Sequence, residues 1–307
     1  MKGKNLIKVF SIFIIVIIIG QIIISNVYSK NVLITSEEKA ENWVVLICGG
    51  VRNDTRELDK VQRNTTIKAY NTFKNLGYDD EHIYFLQLRN TSDPNEDKPS
   101  GVDCFSNKSN AKYAITNWLA EKSDKTDNCF ILLIDHGNLH LNTFGGIFWF
   151  YDKTLDKQEY LLSVELSEWL SKIEYKICTI LIDACYSGGF IKHISKENRI
   201  VMTSTSLTKG IASESGDFSS FFFDKLAENV SYGKAWEYAG KKHLQIKIRD
   251  LPEETSFFTK ILAKILIFFQ SPQIDDNGDA KGSGRKFIAD KLPVRKDGNL
   301  ALSTYPA

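Results

Sequence analysis

Five short apolar runs, separated by segments of helical length or more, constrain this chain more than any other feature. They occupy residues 43–48, 83–86, 130–134, 177–182 and 200–203. Runs this short and this apolar read as strands buried on both faces, which is what a parallel sheet requires. Helical stripes lie between and after them. Ala69, Tyr70, Phe73 and Leu76 share one face, with Gly77 as a stop signal. Ala111, Ala114, Ile115, Trp118 and Leu119 form a second stripe, and Leu166, Trp169, Leu170 and Ile173 a third. Tyr232, Ala235, Trp236 and Ala239 mark a later helix. The order predicts an open, mainly parallel α/β sheet with helices on both sides. With 307 residues, 43% hydrophobic and 25% charged, the chain can bury such a core and is not disordered by composition.

The first 29 residues read as a separate object. Lys2, Lys4 and Lys8 precede a run over residues 9–24 that is almost wholly apolar. A basic start followed by an apolar run is an export signal, and this run also approaches the length of a short membrane span. It is therefore expected to be a signal peptide cleaved after Ser29 or a retained anchor, with the rest of the chain outside. The net charge of +1 gives no reason to expect a nucleic acid partner. Five cysteines exclude a disulfide-dense miniprotein. Residues 88–110 read as a long polar loop. Residues 257–269 are densely apolar and read as a core-docked helix, too short to span a bilayer.

The chemistry is expected at the carboxyl ends of the third and fourth runs, because ligands of open α/β sheets bind beyond those ends. The third run continues into Asp135-His136-Gly137-Asn138, and the fourth into Asp183-Ala184-Cys185-Tyr186-Ser187-Gly188-Gly189. An imidazole and a thiol at one rim make a nucleophile and its proton acceptor. The N–H groups of Gly137 and Cys185 are candidates for holding a developing oxyanion. Cys48, Cys129 and Cys178 sit in or beside strands and read as small core hydrophobes. His82, His193 and His243 lack such a context and read as surface groups. His136 and His140 have a metal-like spacing, but the first ends a strand, which argues against zinc.

These motifs, IDHGN and IDACYSGGF, resemble the His and Cys motifs of the legumain family of cysteine peptidases. The tail segment QSPQIDDNGD over residues 270–279 also resembles a segment of prokaryotic members. The resemblance implies a caspase-like α/β sandwich and a cysteine endopeptidase acting on protein or peptide substrates, with no metal or organic cofactor. It implies His136 as general base and acid, Cys185 as nucleophile and Gly137 as oxyanion donor. Asp183 and Asp217 would line the primary specificity pocket, with Ser204 and Ser213 on its wall. The Asn-x-Arg-His element of animal and plant legumains does not align here, so the P1 preference stays open between Asn/Asp and basic side chains. The expected organisation is a signal or anchor over 1–29, a linker over 30–41, a caspase-like domain over 42–272 and a tail over 273–307. A transamidase of the same fold and a catalytically idle tethered binding module are the alternatives. Asp275, Asn277 and Asp279 have the spacing of a calcium loop, but without its glycine and its terminal glutamate they read as a turn.

Overall fold

The computed structural model describes residues 40–52, 57–88, 101–152, 154–207, 217–249, 272–283 and 297–306, together with residues 19 and 21. The chain divides into two units, Met1–Ala40 and Glu41–Ala307, and every described strand belongs to the second. The expected signal or anchor, the apolar segment 257–269 and most of the polar loop fall outside the described residues. Among the described residues no helix is long and apolar enough to cross a membrane.

All five apolar runs are strands. They are β1 (Asn42–Cys48), β2 (Ile83–Gln87), β4 (Asn128–Ile134), β8 (Ile177–Asp183) and β9 (Arg199–Thr203). Two short strands complete the sheet, β3 (Cys104–Phe105) and β10 (Gln273–Asp275), in the order β10-β9-β8-β4-β1-β2-β3. Every pairing is parallel except that of β10 with β9. Parallel neighbours need crossover connections, and helices lie between and after the strands. They are α1 (Glu57–Asn75), α2 (Lys108–Tyr113, continuing as a π-helical stretch Ala114–Leu119 and a last turn Ala120–Lys122), α3 (Ser163–Leu170), α4 (Gly188–Ile194), α5 (Asp217–Leu226), α6 (Tyr232–Arg249) and α7 (Asn299–Ser303). The segment expected as one polar loop up to residue 110 therefore contains an edge strand and the start of a helix.

The two-residue period of the strands divides the core into two layers. Trp43, Val45 and Ile47 of β1, Ile131 and Leu133 of β4, and Ile180 and Ile182 of β8 face one layer. There they meet Ile115 and Leu119 of α2, Trp169 of α3 and Phe190 of α4. Val44 and Leu46, Phe130, Leu132 and Ile134, and Leu181 face the other, against Phe73 of α1, Phe222 and Phe223 of α5 and Trp236 of α6. Phe130 lies at the centre of that second layer. Its ring stacks on Tyr232 at 5.4 Å and meets Phe73 at 5.0 Å. A fully buried ring of this kind contributes about 1.5–3 kcal/mol from removal of its surface from water.

A second, antiparallel sheet stands over the carboxyl ends of the parallel strands. It comprises β5 (Gly137–His140), β6 (Gly145–Asp152) and β7 (Lys157–Leu162). Phe148 and Phe150 point into the core, and Trp149 and Tyr151, one residue on, are half-buried. From residue 272 the described chain packs on the body. β10 extends the sheet, Tyr232 N donates to Thr304 O at 3.0 Å, and α7 packs on α6. The three histidines expected at the surface are not simply exposed. His243 is 2% exposed, His82 stacks on Trp43 at 4.5 Å, and His193 meets Ser163 Oγ at 2.9 Å. His82 and His243 set their rings against aromatic side chains, Trp43 and Phe218, contacts that local sequence context does not disclose.

Candidate active site

The register of β4 against β8 aligns the two motifs. Ile134 pairs with Asp183, and the ladder continues one step as Asp135 N donates to Asp183 O at 3.1 Å. His136 and Cys185 follow at the same rim, one step beyond on adjoining strands. Both are half-buried, whereas the residues preceding them, Asp135 and Ala184, are buried. Gly137 opens β5 directly against the Cys185 loop. A Cβ on Gly137 would collide with the Cys185 carbonyl oxygen and lie 3.0 Å from the Ala184 Cβ. Glycine is what allows the two backbones to approach so closely.

Both backbone groups of His136 are held by hydrogen bonds. Its carbonyl accepts from Trp149 N at 3.1 Å, and its N–H donates to the Asp135 carboxylate. Its Nε2 stands 3.9 Å from Asp135 Oδ1, an ion-pair separation when the ring is protonated and longer than a hydrogen bond. Cys185 and Tyr186 occupy the centre of a tight turn closed by Ser187 N to Ala184 O at 3.2 Å. Tyr186 adopts φ 57°, the left-handed region that costs a side-chain-bearing residue about 1–2 kcal/mol. Helix α4 starts two residues later.

The other thiols differ from Cys185. Cys48, Cys129 and Cys178 are buried, as their positions in strands imply. Burial pushes the Cys178 thiol up to about 11 and raises Cys129 well above the usual range, so neither gives a thiolate at neutral pH. Cys104 is half-buried, 3.8 Å from the Tyr84 hydroxyl. Among the described residues, which include all five cysteines, there is no disulfide.

The residues expected to form the specificity pocket are only partly within view. Asp183 is 4% exposed, and its Oδ2 accepts the Ser219 N–H at 3.0 Å in the first turn of α5. Asp217 opens that helix, so its backbone starts close to Asp183. Ser204 follows β9, buried, with its N–H donated to Ile182 O at 3.1 Å. Ser213 lies outside the described residues.

A model of the peptidase C13 family matches residues 42–210. The chain belongs to the peptidase C13 family, the legumain family of cysteine peptidases. No curated protein matches it. The matched span runs from the first residue of β1 past the end of β9, so it contains both strand ends just described. The C13 fold expectation agrees with the sheet, whose parallel strands carry helices on both faces.

Sequence reading missed the hairpin sheet β5–β7 and a buried pair of hydroxyls, Ser187 and Thr205, behind the Cys185 turn. The hairpin left a trace in the aromatic run Ile147–Tyr151, of strand length and composition, whereas the hydroxyls left none. Asp275, Asp279 and Asp297 bring carboxylate oxygens within 4.8 Å of one another and could hold a cation. The Asp275 oxygens, however, already accept Ser195 Oγ, Gly278 N and Lys281 N at 3.0–3.1 Å. Burial, with the Asp275 carboxylate adding to it and a Ser283 hydrogen bond opposing it, pushes Asp297 up to about 6. Its folded pKa is thus above its unfolded one, so its protonated form favours the fold. That contribution is present at pH 4 and lost as pH rises through 6. Asp297→Asn should raise stability above pH 7 by roughly 1 kcal/mol after allowance for solvent screening, and not at pH 4. Melting curves at the two pH values check this.

Proposed function

We propose that this C13 chain is an exported or membrane-tethered cysteine endopeptidase that works through a Cys185–His136 dyad. The observation that supports the proposal is the alignment of Ile134 with Asp183, the last residues of adjoining strands, with His136 and Cys185 each two residues further on and half-buried. The Cys185 thiolate attacks the peptide carbonyl, and the C–N bond breaks as His136 hands its proton to the leaving amine. His136 then takes a proton from water, which attacks the thioester and frees Cys185. The N–H groups of Gly137 and Cys185 hold the oxyanion in both steps. Export is proposed from the basic and apolar order of residues 1–24 alone.

A set of fluorogenic peptides differing only at P1 tests the activity. Cleavage after Asn, Asp, Lys or Arg that is absent in Cys185→Ala is the expected result. Cleavage of none of them, or cleavage that survives Cys185→Ala, overturns the proposal.

Asp183 is proposed as an acid of the P1 pocket, with Asp217, and Ser204 and Ser213 as its wall. Asp183→Asn keeps an acceptor for the Ser219 N–H, so stability should change by less than about 1 kcal/mol. The ratio of turnover on Lys or Arg peptides to that on Asn peptides should fall, because a buried carboxylate favours a cation over an amide. A large loss of melting temperature with an unchanged ratio would assign Asp183 to holding α5 instead.

A further inference from the structure

Behind the Cys185 turn lies a closed set of hydrogen bonds that the peptidase mechanism has not used. Ser187 and Thr205 are both fully buried. The Thr205 hydroxyl donates to Ala184 O at 3.1 Å. It accepts from Ser187 N at 3.1 Å and meets Ser187 Oγ at 3.1 Å. Ser187 Oγ in turn accepts the Thr205 N–H at 3.2 Å. One assignment of protons satisfies every group: Thr205 donates to the carbonyl, and Ser187 donates to Thr205. Thr205 is itself held in place, since Thr203 Oγ1 donates to its carbonyl at 2.9 Å.

The two residues that this set brackets are Cys185 and Tyr186. The Ala184 carbonyl belongs to the same planar peptide unit as the Cys185 N–H, and in a trans unit the two point in opposite directions. Fixing the carbonyl therefore fixes where the N–H aims. A carbonyl that accepts hydrogen bonds also polarises the N–H across its peptide unit. The left-handed Tyr186 that follows would relax if the turn were left unheld.

We infer that Thr205 is a positioning residue: its buried hydroxyl, gripping Ala184 O and Ser187 N, aims the Cys185 N–H at the oxyanion of the acyl-transfer steps. The inference rests on the reading of Cys185 as nucleophile. Thr205 touches no substrate atom. Its effect passes through one peptide plane, so it acts on steps that build negative charge on oxygen and on no others.

That selectivity sets the test. Thr205→Val keeps the shape and removes the hydroxyl, and Thr205→Ser restores it. Turnover of the best peptide, inhibition by a matching peptide aldehyde and alkylation of Cys185 by iodoacetamide are measured for each. The aldehyde adds the thiolate at its carbonyl carbon and forms an oxyanion, whereas iodoacetamide loses iodide by displacement and forms none. In Thr205→Val, kcat should fall roughly ten- to a hundredfold, below the loss of about 10²–10³ for deleting a donor outright. KM should stay within about twofold. Aldehyde affinity should fall by the same factor as kcat, while the rate and pH profile of alkylation stay as in wild type. Thr205→Ser should recover most of the loss.

Wild-type kcat in Thr205→Val, equal losses in both variants, or alkylation that falls with turnover would each overturn the inference. If Thr205→Val does not fold, Ser187→Ala replaces it. That change strips two of the bonds holding Thr205 and should lower kcat several-fold at constant KM; no change overturns the inference. A wild-type chain that cleaves no peptide and leaves Cys185 unalkylated would overturn the peptidase reading itself, which separates the two failures.

Discussion

Cys185→Ala is expected to remove peptide cleavage by on the order of 10⁴-fold or more, while the protein stays folded. The loss is large because no other group at the rim can form the acyl-enzyme. Of the other thiols in the sheet, Cys48 ends β1 beside Ile134 but is fully buried, and Cys129 and Cys178 lie at the opposite ends of their strands, where burial holds their protons on. Stability should hold because the side chain sits at the half-buried rim and removal of one sulfur leaves little empty volume. His136→Ala should cost a comparable amount. Because nucleophile and base act as a unit, the double variant should be no slower than the worse single one. Steady-state rates with melting temperatures on the same preparations check this. A Cys185→Ala protein that retains more than about a hundredth of wild-type turnover would place the nucleophile elsewhere.

Gly137→Ala should be nearly as damaging, and for a reason visible only in three dimensions. Its methyl group would collide with the Cys185 carbonyl oxygen, and Ile147 O and the Ala184 Cβ stand at 3.0 Å. Two of these three are backbone atoms of elements that are themselves paired, so they cannot swing aside as a long side chain would. Either β5 lifts from the rim or the Cys185 turn is pushed back. Overpacking of this kind costs about 1–3 kcal/mol. Both outcomes also spoil the alignment of Gly137 N–H, Cys185 and His136, so kcat should fall at least about a hundredfold. Circular dichroism melting together with kcat separates the two contributions. A variant with normal kcat would mean that the rim yields more easily than its backbone contacts imply.

The contrast between these two variants reflects what the amino-acid order carries. His136 and Cys185 stand out in sequence because they lie two and three positions past apolar runs, with glycine one and three positions further on, so their type and place could be read together. The five principal strands were legible for the same reason: burial on both faces leaves no polar position to blur the run. Their spatial order was not, since β1 lies between β2 and β4 and nothing in residues 42–48 names those neighbours. The hairpin β5–β7 was hidden because Gly137–His140 and Lys157–Leu162 are largely half-exposed and mostly polar, and few of its side chains, Phe148, Phe150 and Leu161 among them, are buried in the core. Thr205 is the extreme case. A threonine just past the end of a buried strand has no distinguishing neighbours, and its use depends on a carbonyl that stands twenty-one positions earlier. Asp183 lies between these cases, since its type was legible and its grip on Ser219 N was not.

The manner in which the large sheet finishes at β10 has a bearing on solubility. A row of parallel strands ending in an open border would offer unpaired amides to any extended peptide nearby, including one being processed. Here the last strand runs the other way, is three residues long, and already exchanges bonds on its far side through Ile274 N to Ser283 O at 3.0 Å and Ser283 N to Ile274 O at 2.7 Å. A stray chain that reaches that border meets a selvedge stitched by the protein's own sequence, and finds no ladder there on which to begin a fibre.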